Sequence, residues 1–255
     1  TPARVRFRAL PSGNRVFKFA AMKEIDLLGE GWVDCASDRY SPFLPPSTGA
    51  WATYPKLADL FSYNGSGVMP GRTWVIAPDA ESLVRRWNQL ISAPPGAEQE
   101  RLFHPHLRDG KPGDKHSNKT VNSPLVGQEP RLLAVAADKG PCIAPIRYAY
   151  RSFDRQWIIP DARLINQSNP TLWEMHSDRQ VFFTAVALKT PKSGPALTIT
   201  AAIPDIDHYR GSFGGRVFPL WGDSNAGKPN VAPKLAEVLS HRYGTTVTSE
   251  DVFAY

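Results

Sequence analysis

Apolar residues recur along this chain with two different periods, and each period names an element. In residues 80–92, Leu83, Val84, Trp87, Leu90 and Ile91 fall at i, i+1, i+4, i+7 and i+8, one face of an α-helix, and Asp79 stands where an N-cap belongs. A shorter amphipathic helix is expected over residues 232–241, where Leu235, Val238 and Leu239 share a face and Gly244 supplies the stop. Alternation with period two marks strands. Arg4, Arg6 and Arg8 alternate with Val5 and Phe7, a Pro11-Ser12-Gly13-Asn14 turn follows, and Val16 resumes the pattern, so residues 4–20 predict a β-hairpin. Residues 73–77 read as a strand, and β-branched and aromatic residues predict further strands over 131–136, 143–148, 156–159, 180–189, 197–203 and 216–221.

Two stretches have no period. Residues 41–70 combine Pro, Ser and Gly with many rings and predict a packed irregular segment with a short helix at 55–61. Residues 104–124 carry His104, His106, Lys111, Lys115, His116 and Lys119 among Gly, Pro, Ser and Asn, and predict a long mobile loop. The expected fold class is α+β: a strand-rich, mixed or antiparallel sheet with a few short helices and long loops. It divides into an N-terminal part, residues 1–125, and a strand-rich C-terminal part, residues 126–255.

Composition narrows the functional classes. With 255 residues, 42% hydrophobic and 21% charged, the chain can bury a core, and no run approaches the roughly 20 apolar residues of a membrane span. Formal charge is +6, with 19 Arg against 11 Lys, which favours an anionic partner. Basic character concentrates at residues 1–23, six basic and no acidic, and at 101–119, five Lys or Arg against two Asp. Cys35 and Cys142 stand far apart without a CxxC, which fits a reducing cytoplasm. The chain starts at Thr1 without Met, and Thr248-Ser249-Glu250-Asp251 opens a capped helix that stops at Tyr255, so a fragment of a longer polypeptide is expected.

Catalytic motifs fail one by one. Residues 222–228 spell Gly-Asp-Ser-Asn-Ala-Gly-Lys, the first part of a P-loop, but Pro229 replaces the hydroxyl residue that Mg²⁺ needs and lacks an N–H for phosphate. Pro78-Asp79 with Asp109-Gly110-Lys111 imitates a nuclease motif, yet Asp79 is a helix cap and Asp109 lies in the aperiodic loop. His104 and His106 lack a third metal ligand nearby. What remains is a cluster of arginines and rings at residues 147–157, Arg147, Tyr148, Tyr150, Arg151, Phe153, Arg155 and Trp157, and a second at 208–221 that includes Arg216. Such interleaving holds phosphates and packs on sugars or bases. It is equally compatible with a local Asp154 salt bridge and rings in the core.

These same stretches carry a family likeness. Residues 148–157, Leu172-Trp173, Asp178-Arg179-Gln180, Pro204-Asp205, His208, Gly211-Ser212 and residues 215–221 resemble the C-terminal specificity region of type ISP restriction-modification enzymes, and the likeness continues through Asn230 to Tyr255. Residues 1–125 fit more loosely, best at residues 70–76. The resemblance implies a bacterial, cytoplasmic parent with a nuclease, a helicase-like ATPase and an N6-adenine methyltransferase ahead of this region. That parent would use S-adenosylmethionine, ATP and Mg, whereas this chain would hold no cofactor and no catalytic residue. The implied partners are double-stranded DNA and the methyltransferase domain of the same polypeptide. Arg151, Asp154, Arg155, Gly215 and Arg216 fall on family signature positions. The expected DNA-binding residues are Arg4, Arg6, Arg8, Lys111, Lys115, Lys119, Arg147, Tyr148, Arg151, Arg155 and Arg216. The competing expectation is an interaction module that docks on its own methyltransferase domain without touching DNA.

Overall fold

The computed structural model describes residues 3–37, 43–46, 49, 53–103, 124–129, 133–186, 197–208 and 215–253. The chain divides into two units, Thr1–Lys56 and Leu57–Tyr255.

In the first unit, β1 (Arg6–Phe7) pairs antiparallel with β2 (Val33–Asp34), Arg6 opposite Asp34. The expected hairpin over residues 4–20 is not formed, because α1 (Arg15–Lys23) stands where its second strand would lie. Asn14 decides the matter. Its backbone is extended and its side chain accepts a hydrogen bond from the Phe17 amide at 2.9 Å, so the supposed turn residue is a helix N-cap. Lys18, Ala20, Ala21, Met22 and Lys23 are all good helix formers, which completes the case for a helix.

The second unit holds two four-stranded sheets. The first runs β3 (Gly65–Ser66), β10 (Gly215–Pro219), β7 (Phe182–Val186), β8 (Leu197–Thr200), all antiparallel. The second runs β4 (Ile76–Ala77), β6 (Asp154–Ile158), β5 (Ile146–Arg151), β9 (Ile203–Pro204), with β9 parallel to β5. Both sheets draw strands from either side of residue 125. Of the strand expected over 131–136, residues 131–132 lie outside the described residues, and Val135–Ala137 form a 3₁₀ turn instead. The one expected over 197–203 is split into β8 and β9 by residues 201–202, which place the two halves in different sheets.

Helix α2 (Ala80–Ser92) is capped by Asp79, whose Oδ1 accepts from the Ser82 amide at 2.7 Å, and it buries Leu83, Trp87 and Leu90 as its period requires. Then come α3 (Ala97–Phe103) and α4 (Pro170–Glu174), neither of which the sequence pattern announces. Helix α5 (Pro233–Tyr243) ends on Gly244 in the left-handed region at φ 66°. The expected cap at Thr248 forms: its amide donates to Asp251 Oδ2 at 2.8 Å, and a 3₁₀ turn, Asp251–Phe253, follows.

The core of the second unit gathers Val68, Val75, Leu83, Leu90, Phe103, Tyr148, Ile158, Leu164, Phe182, Ile203 and Val217, all fully buried. Each such side chain contributes about 1.5–3 kcal/mol of hydrophobic stabilisation. A buried ionic cluster braces it. Arg163 donates to Asp161 at 2.6 Å, to Asp138 at 2.8 Å and to the Leu133 carbonyl at 2.7 Å, and its guanidinium lies 5.6 Å from the Trp87 ring centroid.

The two sheets meet along residues 203–208. β9 pairs with β5, the Val68 amide donates to Pro204 O and receives Ile206 N on its own carbonyl at 2.8 Å, and Gly215 N donates to Ile206 O at 2.9 Å. This seam requires Gly67, since a Cβ there would lie 2.5 Å from the Asp205 carbonyl carbon and oxygen.

Candidate nucleic-acid interface

The strands β5 and β6 form a hairpin closed by Ser152 and Phe153, with Arg151 opposite Asp154 and an irregular register between Ala149 and Arg151. Alternation puts Tyr148 and Ile158 on one face, where both are buried, and Arg147, Ala149 and Arg155 on the other, where the two arginines are exposed and Ala149 is covered. Arg147 and Trp157 are cross-strand partners, and the guanidinium lies 4.6 Å from the ring centroid. Arg155 curls over the turn and donates to the carbonyls of Arg151 and Ser152 at 3.1 and 3.2 Å. Arg151 stacks on the Tyr150 ring at 3.9 Å and bridges to Asp205 Oδ1 at 3.1 Å.

The turn is fixed from behind. The Ser152 amide and hydroxyl both donate to His208 O at 3.0 Å. Asp205, itself buried, receives the Tyr148 hydroxyl at 2.7 Å, Arg151 and the Asp207 amide at 2.7 Å. Burial pushes its carboxyl up to about 6, against the hydrogen bonds from Tyr148 and Asp207 and the Arg151 charge. Burial also raises the Tyr148 hydroxyl well above its ordinary value, reinforced by Asp205, and holds the His208 imidazole below its own. The His208 ring nitrogens lie 3.2 Å from Ala149 O and 3.1 Å from Thr198 Oγ1. Beside Arg151 opens a cleft of about 290 Å³, lined by Arg72, Tyr150, Arg151, Asn166, Asp205 and Asp207 among others.

The structure brings Arg147, Arg151 and Arg155 onto one hairpin. Tyr148 belongs to the same hairpin but faces inward with no exposed surface, so it supports Asp205 and presents nothing to a partner. Arg216 lies on β10 in the other sheet, exposed, donating to Asn64 Oδ1 at 2.6 Å. In the first unit Arg4 pairs with Asp34 through bonds of 3.0 and 2.9 Å, Arg6 binds Leu27 O and lies over Trp32, and Arg8 binds Glu30 O. These contacts tie strand β1 to residues 26–34 and, at Arg4, neutralise the charge. Lys111, Lys115, Lys119, His104, His106, His116 and Asp109 lie outside the described residues. Sequence reasoning missed the Asp205–His208 brace as a support for the turn, because its two halves are more than 50 residues apart.

The P-loop-like stretch has no place for a phosphate. Asp223 accepts from the amides of Asn225, Gly227 and Lys228 at 2.8, 3.2 and 2.6 Å, so a carboxylate fills the nest that an anion would need. Those backbone bonds also hold its carboxyl below the ordinary range. Among the described residues, no group of three or more His, Cys, Asp or Glu could hold a metal ion. The Cys142 thiol is pushed up to about 11 by burial, with Asp161 adding to it, which removes thiolate character. No helix among them is long and apolar enough to cross a membrane.

An α+β domain whose charged surface feature is a braced basic hairpin has the makings of a binding module. Residues 59–255 match the model of the Type ISP C-terminal specificity domain, and the chain belongs to that family. Among solved structures it is similar to the cryoEM structure of the DrdV–DNA complex, with 14% identity over 92% of this chain and 24% of that one and a TM-score of 0.46. It is also similar to a nuclease-deletion mutant of the Type ISP restriction-modification enzyme LlaGI in complex with a DNA substrate mimic, at 12% identity, 89% and 19% coverage and a TM-score of 0.47. A third is the ATP-dependent Type ISP restriction-modification enzyme LlaBIII bound to DNA, at 11% identity, 88% and 15% coverage and a TM-score of 0.44. The chain thus spans less than a quarter of the length of each of these proteins. No curated protein matches it in sequence.

Proposed function

We propose that this chain is the DNA target recognition region of a restriction-modification polypeptide, and that the outward side of the β5–β6 hairpin meets the duplex. The observation that carries the reading is the state of its arginines. Arg147 rests on a ring and Arg155 on two carbonyl oxygens, arrangements that leave the positive charge in place for phosphate. Lys111, Lys115 and Lys119, which lie outside the described residues, and Arg216 are further cations of this reading. Arg4, Arg6 and Arg8 fit less well, being bonded within their own unit. The parent would act in the bacterial cytoplasm, methylate adenine N6 and cleave unmodified DNA with ATP. Its S-adenosylmethionine, ATP and Mg would be held by domains other than this one.

The test is fluorescence anisotropy with random-sequence duplex at 50 and 200 mM salt. Binding should weaken steeply with salt, and R147A/R155A should lower affinity and reduce the slope of log K against log salt by about 0.9 for each phosphate that is no longer neutralised. Equal affinity and slope in the double variant would remove the hairpin from the interface.

A second reading rests on the first unit. Helix α1 buries none of its residues, and Val16, Phe17, Phe19 and Met22 are exposed along with Leu27 and Leu28. An apolar surface of this kind suits docking against the methyltransferase domain of the same polypeptide. F17S/M22S would then weaken association with that domain and leave DNA binding by the chain alone unchanged, both readable by anisotropy.

A further inference from the structure

Phe153 is 95% exposed, more than any other large apolar side chain among the described residues, and it occupies a two-residue hairpin turn. Such positions normally hold Gly, Asn or Asp, which meet water without cost. The next most exposed large apolar residue among those described, Leu28, sits in an irregular stretch, whereas Phe153 sits on a turn locked at several points. The Ser152 amide and hydroxyl bind His208 O, Arg155 ties the carbonyls of Arg151 and Ser152, and Arg151 reaches Asp205. An aromatic ring on a rigid backbone has only two side-chain torsions left to fix when it binds, so its contact area is gained at small entropic cost. Its surroundings name the partner. Arg155 donates to the carbonyls of Arg151 and Ser152 at the turn itself and Arg147 lies farther along the same hairpin, and a cation beside a projecting ring complements a phosphate beside a base step.

We infer that Phe153 is an apolar wedge that enters the DNA and stacks against a base at an opened step where the hairpin meets the duplex. The inference rests on the DNA-binding reading above and deepens it by naming the group that touches bases. It predicts a contribution independent of salt, because the ring displaces no counterion, and it predicts local unstacking of the DNA.

The experiment uses the 255-residue chain and random-sequence duplexes with scattered 2-aminopurine, whose fluorescence rises on unstacking. Wild type should raise the fluorescence on binding. F153A should lose that rise and bind about tenfold more weakly with an unchanged salt slope, and F153L and F153W should keep most of both signals. Thermal melts of the variants should match wild type, since the side chain touches little of the fold. If F153A equals wild type in affinity and fluorescence while wild type binds in a salt-dependent way, the wedge is refuted and the recognition reading stands. Loss of affinity in F153A without any fluorescence rise in wild type would place the ring on sugar or protein and also refute the wedge. Absence of wild-type binding at both salts would overturn the DNA-binding reading itself, and the wedge with it.

Discussion

Asp205 shows how one residue can be both a brace and a liability. It fastens Tyr148, Arg151 and the Asp207 amide, yet burial pushes its carboxyl up to about 6 where 3.8 is ordinary. A folded-state value above the unfolded one means that the proton is held more tightly in the native protein. The stabilisation from this group is therefore fully present below about pH 4 and is lost as pH rises through about 6. The charged groups facing it are Arg151 and Asp207, and the neutral Tyr148 hydroxyl donates to it. Asp79 and Asp223, which are held low by hydrogen bonds, act in the opposite direction. The isolating comparison is thus between variants: urea unfolding at pH 4 and pH 7 should show wild type losing more stability, relative to Asp205→Asn, at the higher pH. An equal pH response in both proteins would remove Asp205 as the source. Gly67 is a second decisive residue. Gly67→Ala forces a methyl against the Asp205 carbonyl and should cost about 1–3 kcal/mol of unfolding free energy in the same assay.

At the scale of elements, what could be read from the sequence was what is local. Helices α2 and α5 declare themselves through local signals, α2 through the Asp79 cap and its apolar period and α5 through its apolar period and the terminal Gly244. Asp79→Ala should accordingly cost about 1 kcal/mol in chemical denaturation, the usual worth of an N-cap. The first strand pattern misled because Val16, Phe17, Lys18 and Phe19 alternate like a strand while Asn14 caps a helix. Arg147, Arg151 and Arg155 were legible as a basic, aromatic cluster, and they do share a hairpin. That Tyr148 would face the core was not legible: with rings and arginines on both sides of the strand, only its packing on Asp205 fixes the facing. The ionic cluster at Arg163 was equally hidden, since its partners Leu133 and Asp138 lie 25 or more residues away in sequence and meet it only through the turn at Val135–Ala137. Arg163→Ala strands two carboxylates, one of them fully buried, and should destabilise the protein by about 3–5 kcal/mol in equilibrium unfolding.

At the scale of the whole molecule, the family match at residues 59–255 and the second unit, Leu57–Tyr255, nearly coincide. Residues 57–255 produced alone should therefore unfold in one transition, visible as coincident fluorescence and circular dichroism curves. Two sheets could in principle melt one after the other, but residues 203–208 deny them that independence, because β5, Val68 and Gly215 all bond to the same short segment. Opening either sheet breaks bonds on which the other depends. In terms of hydrogen exchange, the amides of Val68, Asp205, Ile206 and Gly215 should be released only by global unfolding, with none of the fast local opening usual near a surface. The Ser152 amide hangs from His208 in the same segment. A turn that carries the exposed Phe153 thereby inherits the slowest clock in the second unit.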